Sequence, residues 1–152
     1  MVEITEIPKA KRRRSMTMIQ RLVGSRTEML SLYTLLASRK PFNEAADAQM
    51  LLQEFCQSLV DYTANAHFQL YRYFAEKNER RQEISDVAAT VYPKVLEMTN
   101  TILDFNDKYD CGDHCSHLND LEEDLSKLGE ILADRIELED ELITAFGFNF
   151  EN

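Results

Sequence analysis

Residues that break regular structure are scarce in this chain: four glycines and three prolines stand among 152 residues, and tryptophan is absent. That shortage excludes a collagen-like chain and a turn-rich β sandwich, both of which need Gly or Pro at frequent intervals. Cysteine is rare and odd in number, at three, so it does not read as a disulfide framework. The amino terminus shows no secretory signal, because the basic run Lys11 to Arg14 leads into Ser-Met-Thr-Met-Ile-Gln-Arg and not into an apolar stretch. Together these features predict a reduced, cytoplasmic protein. Long apolar runs are missing as well. The longest, Met29 to Ala37, contains Ser31 and Thr34 and falls far short of the ~20 residues that cross a bilayer, so no membrane span is expected.

What is present suits a helical domain. Apolar residues make up 44% and charged residues 29%, a balance that excludes wholesale disorder. A chain of this length buries roughly 68–70% of its unfolded surface, enough for a single core. Charge is distributed unevenly. Residues 1–92 hold thirteen basic and eleven acidic residues, whereas residues 93–152 hold four basic and sixteen acidic, a local charge of −12. Such a field repels nucleic acid phosphates and attracts a basic partner. The cluster Lys9, Lys11, Arg12, Arg13 and Arg14 precedes the first periodic segment and has no interleaved aromatic for base stacking. Residues 1–14 are therefore expected to form a flexible, solvated basic arm, followed by one helical domain over 15–148.

Four helical blocks follow from the spacing of apolar residues. The first starts near Ser15, a suitable N-cap, carries Ile19, Leu22, Val23, Met29, Leu30, Tyr33 and Leu36/Ala37, and stops before Pro41. The second runs from about Glu44 to Lys77 on a stripe of Leu52, Phe55, Leu59, Ala66, Leu70 and Phe74. The third covers Ser85 to Tyr109, with Pro93 expected to kink it or to split it into two helices. A polar loop, Asp110 to His117, leads to the fourth, whose seam is Leu118, Leu121, Leu125, Leu128, Leu132, Arg135, Glu139, Leu142 and Phe146. No strand alternation, repeat or low-complexity tract competes with this reading. The fold class is all-α, an antiparallel four-helix bundle with a kinked or split third helix.

Two features depart from simple packing. In the second block Asp61, Ala64, Phe68 and Tyr71 form a second face roughly opposite Leu59, on a helix advancing 100° per residue. Those rings either lie under another element or form an exposed patch for a partner. In the fourth block Arg135 and Glu139 occupy seam positions where leucine would continue the pattern, as an interior ion pair or as the lip of a polar groove.

Chemistry-bearing motifs are thin. Cys111, His114, Cys115 and His117 lie within seven residues and are the only metal candidates; four ligands on one short loop seldom converge tetrahedrally, so a polar loop before Ser116 is the simpler reading. Glu-x-x-His, His-Glu-x-x-His, phosphate-binding glycine loops and Gly-x-Ser-x-Gly are all absent from the sequence. Cys56, with no base nearby in sequence, reads as a small packed hydrophobe. Neither an enzyme nor a cofactor is expected.

The stretch Phe55-Cys56-Gln57-Ser58-Leu59-Val60-Asp61-Tyr62, followed by Ala66-His67-Phe68 and Tyr71, resembles the signature of the Rsd/AlgQ family of bacterial anti-sigma regulators. Arg21, Arg26, Lys40-Pro41, Tyr92-Pro93, Leu138-Glu139-Asp140 and Leu142-Ile143 add to the similarity, which spans most of residues 15–145. The basic arm and the Cys/His loop lie outside it. The resemblance implies an anti-sigma factor that binds region 4 of the primary sigma factor, a helix-turn-helix module, and occludes its promoter and core polymerase contacts. It assigns partner contact to Asp61, Tyr62, His67, Phe68 and Tyr71, with Arg26 and Glu139 as secondary residues. It also leaves open a signalling adapter that binds a phosphocarrier, a stress-response enzyme or other signalling proteins.

Overall fold

A computed structural model of the chain describes residues 9–40, 42, 46–71, 82–109 and 118–145. Helix α1 spans Lys9–Ala37 and α2 spans Ala46–Asn65, continuing without a break into a π-helical segment, Ala66–Tyr71. Helix α3 spans Gln82–Tyr109 and α4 spans Leu118–Ala145. Among the described residues there is no strand, and the all-α bundle is the fold.

Side-chain contacts fix the directions of the helices. Tyr33 of α1 reaches Leu125 of α4, and Arg26 of α1 reaches Glu139 and Asp140, so the two run antiparallel. Phe55 of α2 stacks edge-on against both Tyr33 and Phe105 of α3, while Gln53 meets Tyr109, which sets α2 antiparallel to α3. Lys108 with Asp124, and Arg135 with Thr99, do the same for α3 and α4.

Each helix contributes a stripe in steps of three and four. In α1 the inward residues are Ile19, Leu22, Arg26, Met29 and Leu36, with Tyr33 half-buried. Leu30, expected on this stripe, is exposed instead: the step from Met29 to Tyr33 to Leu36 passes it by, one residue, about 100°, off the seam. Every described seam position of α4 is buried as expected, Arg135 and Glu139 included; Phe146 lies outside the described residues. On α2 Leu52, Phe55, Leu59 and Ala66 are buried, whereas Phe74 and the side chain of Leu70 lie outside the description. Each fully buried leucine contributes roughly 1.5–3 kcal/mol relative to exposure.

The helix ends differ from expectation in two places. Helix α1 begins at Lys9, six residues ahead of Ser15, so Ser15 lies within the helix and does not cap it, and residues 9–14 are helical where an arm was expected. Helix α3 runs through Pro93 as one helix, not as two. The missing N–H deprives only the Ala89 carbonyl of its partner. Ala89 and Pro93 are both exposed to water, while Val91 and Val95 anchor the helix on either side of the defect. Helix α1 ends ahead of Pro41 in a tightened turn, where Ser38 N–H donates to Leu35 O at 3.2 Å and Arg39 N–H to Leu36 O at 3.0 Å.

Candidate protein-binding site

The family-like residues divide into an inner set and an outer set. Glu139 is fully buried and accepts a hydrogen bond from the Tyr62 hydroxyl at 2.7 Å on Oε2. Arg135 Nε approaches the same oxygen at 3.4 Å, and Arg26 Nη1 approaches Oε1 at 3.4 Å. Arg26 Nη1 also donates to Asp140 Oδ1 at 2.8 Å, and Arg135 Nη1 to Thr99 Oγ1 at 2.8 Å. The Arg135 guanidinium lies over the Tyr62 ring at 5.5 Å. One polar network thus joins all four helices. The short Tyr62 bond is charge-assisted and strong, while the 3.4 Å contacts act chiefly through charge in a dry interior. Burial, and then the Glu139 charge, push the Tyr62 hydroxyl well above its ordinary range, so it remains a donor at any physiological pH. Between the two arrangements that the seam pattern allowed for Arg135 and Glu139, the structure adopts the interior ion pair.

Outside, α2 carries no Lys or Arg. Asp61 is exposed, one residue from the inward Tyr62. Beyond Asn65 the helix winds more widely into its π segment, which places His67 half-buried and Phe68 61% exposed, their rings edge to face at 4.9 Å. π-helical turns inside α-helices are found frequently at functional sites. Of the covered and the open arrangement, Phe68 adopts the open one. The Tyr71 side chain lies outside the description. Alongside Asp61, a groove of about 470 Å³ separates α2 from α3, lined by Gln53, Glu54, Cys56, Gln57, Val60, Asp61 and Asn106.

The structure therefore brings His67 and Phe68 together and leaves Asp61 exposed on the same helix, whereas Tyr62, Arg26 and Glu139 are buried in the network. Sequence reasoning found Arg135 and Glu139 from the α4 seam but passed over the same signal in α1. Ile19, Leu22, Arg26 and Met29 step by three, four and three, so Arg26 is a charged seam residue too. Cys111, His114, Cys115 and His117 lie outside the described residues; among the described residues no group of His, Cys, Asp and Glu could hold a metal. Cys56 is buried, with its Sγ 3.9 Å from the Tyr109 carbonyl oxygen. No helix of the described residues is long and apolar enough to cross a membrane.

Comparison with known proteins supplies the remaining finding. Residues 1–146 match the profile of a family described as regulator of RNA polymerase sigma(70) subunit, Rsd/AlgQ. The chain is 33% identical over 135 residues to proteins named regulator of sigma D from Shigella dysenteriae serotype 1 and from Escherichia coli O139:H28 and K12/DH10B, covering 86% of this chain and 84% of each relative. No solved structure matches.

Proposed function

This chain belongs to the Rsd/AlgQ family, regulators and not enzymes, and from that premise we propose that it is an anti-sigma factor that sequesters region 4 of the primary sigma factor in the cytoplasm. The observation that carries this reading is the exposed Phe68 on the π segment, about two turns beyond the exposed Asp61, on a helix, α2, without a single Lys or Arg. A helix-turn-helix module keeps Lys and Arg toward promoter phosphates. An acidic cover that meets those residues competes with DNA for the same charges. Long-range attraction to the acidic bundle speeds encounter, and the desolvated Phe68 ring slows release. No covalent step is needed, because occupancy alone removes the module from promoter and core polymerase.

The test is capture of purified region 4 by the full chain, followed by titration calorimetry. Phe68→Ala should weaken binding about tenfold or more, as truncation of an aromatic anchor does. Asp61→Ala should act mainly by slowing association, and raising salt should slow it further. If Phe68→Ala and Asp61→Ala both bind like the parent chain, this face is not the site. If the unaltered chain ignores region 4 but retains a phosphocarrier or a stress-response enzyme, the adapter reading replaces this one.

A further inference from the structure

Resting on the anti-sigma reading, we infer that the groove between α2 and α3 receives a basic, amphipathic helix of the sigma factor, so that Phe68 is one end of a longer helical docking track. On α2, Gln53, Gln57 and Val60 line the groove in steps of four and three, and the same progression reaches Ala64 and His67. On α3, Asn106 lines the opposite wall, and steps of three and four from it reach Leu103, Thr99 and Leu96. Two such strips, one on each of two antiparallel helices, form the acceptor surface into which a further helix packs its knobs. Nothing among the described residues of the chain fills it: Val60 is 38%, Leu96 42% and Leu103 43% exposed. The track from Gln53 to His67 is about 20 Å long, room for roughly four turns of a partner helix.

The charge of the rim selects the occupant. Exposed Glu54 and Asp61 border the groove on α2, and Asp107 is exposed on the α3 side. The nearby Lys108 is engaged by Asp120 and Asp124 of α4, at 3.2 and 2.8 Å. An incoming helix therefore meets the exposed apolar side chains of Val60, Leu96 and Leu103 set among the amides Gln53, Gln57 and Asn106, with carboxylates along the α2 edge and Asp107 exposed on α3. The complement is a helix with apolar residues at i, i+3/i+4 and i+7 flanked by Lys or Arg.

Leu103 provides the test, since it lies far in sequence from the α2 motif and is exposed enough to change without emptying the core. Leu103→Lys places a like charge against the basic occupant and should weaken region 4 binding by the full-length chain about tenfold or more, with Leu103→Ala intermediate. Leu30→Lys, on the exposed side of α1, should bind like the parent. Melting curves of all three variants confirm that the bundle is intact, and Val60→Lys repeats the test from the other wall. If both Leu103→Lys and Val60→Lys bind normally while Phe68→Ala does not, the track is wrong and the anti-sigma reading stands. If the parent chain binds no region 4, both fall. A concentration-dependent dimer that Leu103→Lys abolishes would assign the groove to a second copy and overturn the proposal.

Discussion

The two ends of the bundle are built on opposite principles. At one end Tyr33, Phe55, Phe105 and Tyr109 stack in sequence, with ring centroids 5.7, 6.0 and 4.7 Å apart, and the Tyr33 hydroxyl donates to Leu125 O at 2.8 Å. There polarity stays at the rim, where Lys108 and Tyr109 close on Asp124. Toward the other end the centre holds Arg26, Arg135, Glu139 and Tyr62, and just past Tyr62 α2 leaves α-helical geometry for the π segment. Aromatic pairs prefer offset or edge-on arrangements and carry no charge, whereas a buried ion network, once satisfied, rigidifies its surroundings and is costly to leave partly unmade. The polar end is the one next to the exposed Phe68, so the strictest positional control lies under the surface that we assign to partner binding.

Breaking either end should cost a similar amount of stability by different routes. Phe55→Ala empties a packed volume and should cost about 3–5 kcal/mol. Glu139→Ala strands Arg26 and Arg135 without their shared carboxylate and should also cost about 3–5 kcal/mol, since removing one partner of a buried ion pair leaves uncompensated charge. Urea denaturation gives both numbers. The comparison sharpens with hydrogen exchange at matched global stability: amides of residues 66–71 should open more in Glu139→Ala than in Phe55→Ala. Equal opening in the two variants would separate the network from the π segment.

The two ends also differed in how plainly the sequence announced them. The α4 seam, from Leu118 to Leu142, was legible because steps of three and four survive even where the residue is charged. The antiparallel bundle followed from that periodicity and from the scarcity of breakers. Arg26 was legible by the same rule but was named only through the family resemblance, because a charge on an apolar stripe reads as an interruption until its partner is known. The π segment left no trace in the pattern: Ala66 and His67 continue an α-helical stripe equally well, and the wider winding depends on tertiary packing. Continuity through Pro93 depended on the exposure of Ala89 and Pro93, which a sequence does not record. Of the site, Asp61 and Phe68 were visible as an unused second face, but the α3 wall of the groove came only from the packing of α2 on α3.

A second pair of changes tests how tightly each end is set. Gly129 lies where a Cβ would sit on the Tyr33 hydroxyl, so Gly129→Ala should cost about 1–3 kcal/mol, the usual range for overpacking. Adding Tyr33→Phe should restore part of that loss in thermal unfolding, because the obstructing oxygen is then gone. At the polar end, Tyr62→Phe keeps the ring over Arg135 and removes only the 2.7 Å donor to Glu139. A buried carboxylate short of one donor should cost about 1–3 kcal/mol. Nearly unchanged stability would mean that Arg135 and Arg26 satisfy Glu139 by themselves.

The smallest expected effect lies at the rim of the aromatic end and is read by pH. Burial raises the Asp124 carboxyl, but hydrogen bonds from Lys108 and Tyr109 outweigh it and hold the group below the ordinary carboxylate range. A carboxylate depressed in the folded state stabilises fully above its unfolded pKa, and the gain is lost as pH falls through the folded value, in a window below about pH 4. Asp124→Asn, which cannot carry that charge, should melt slightly lower than the parent at neutral pH and should lose less stability on acidification through that window. The pair is largely solvent-screened, so the difference should be well below that of any core change. If the Asn variant tracks the parent at every pH, the clamp on Asp124 holds nothing, and the stability of this end rests on its stacked rings alone.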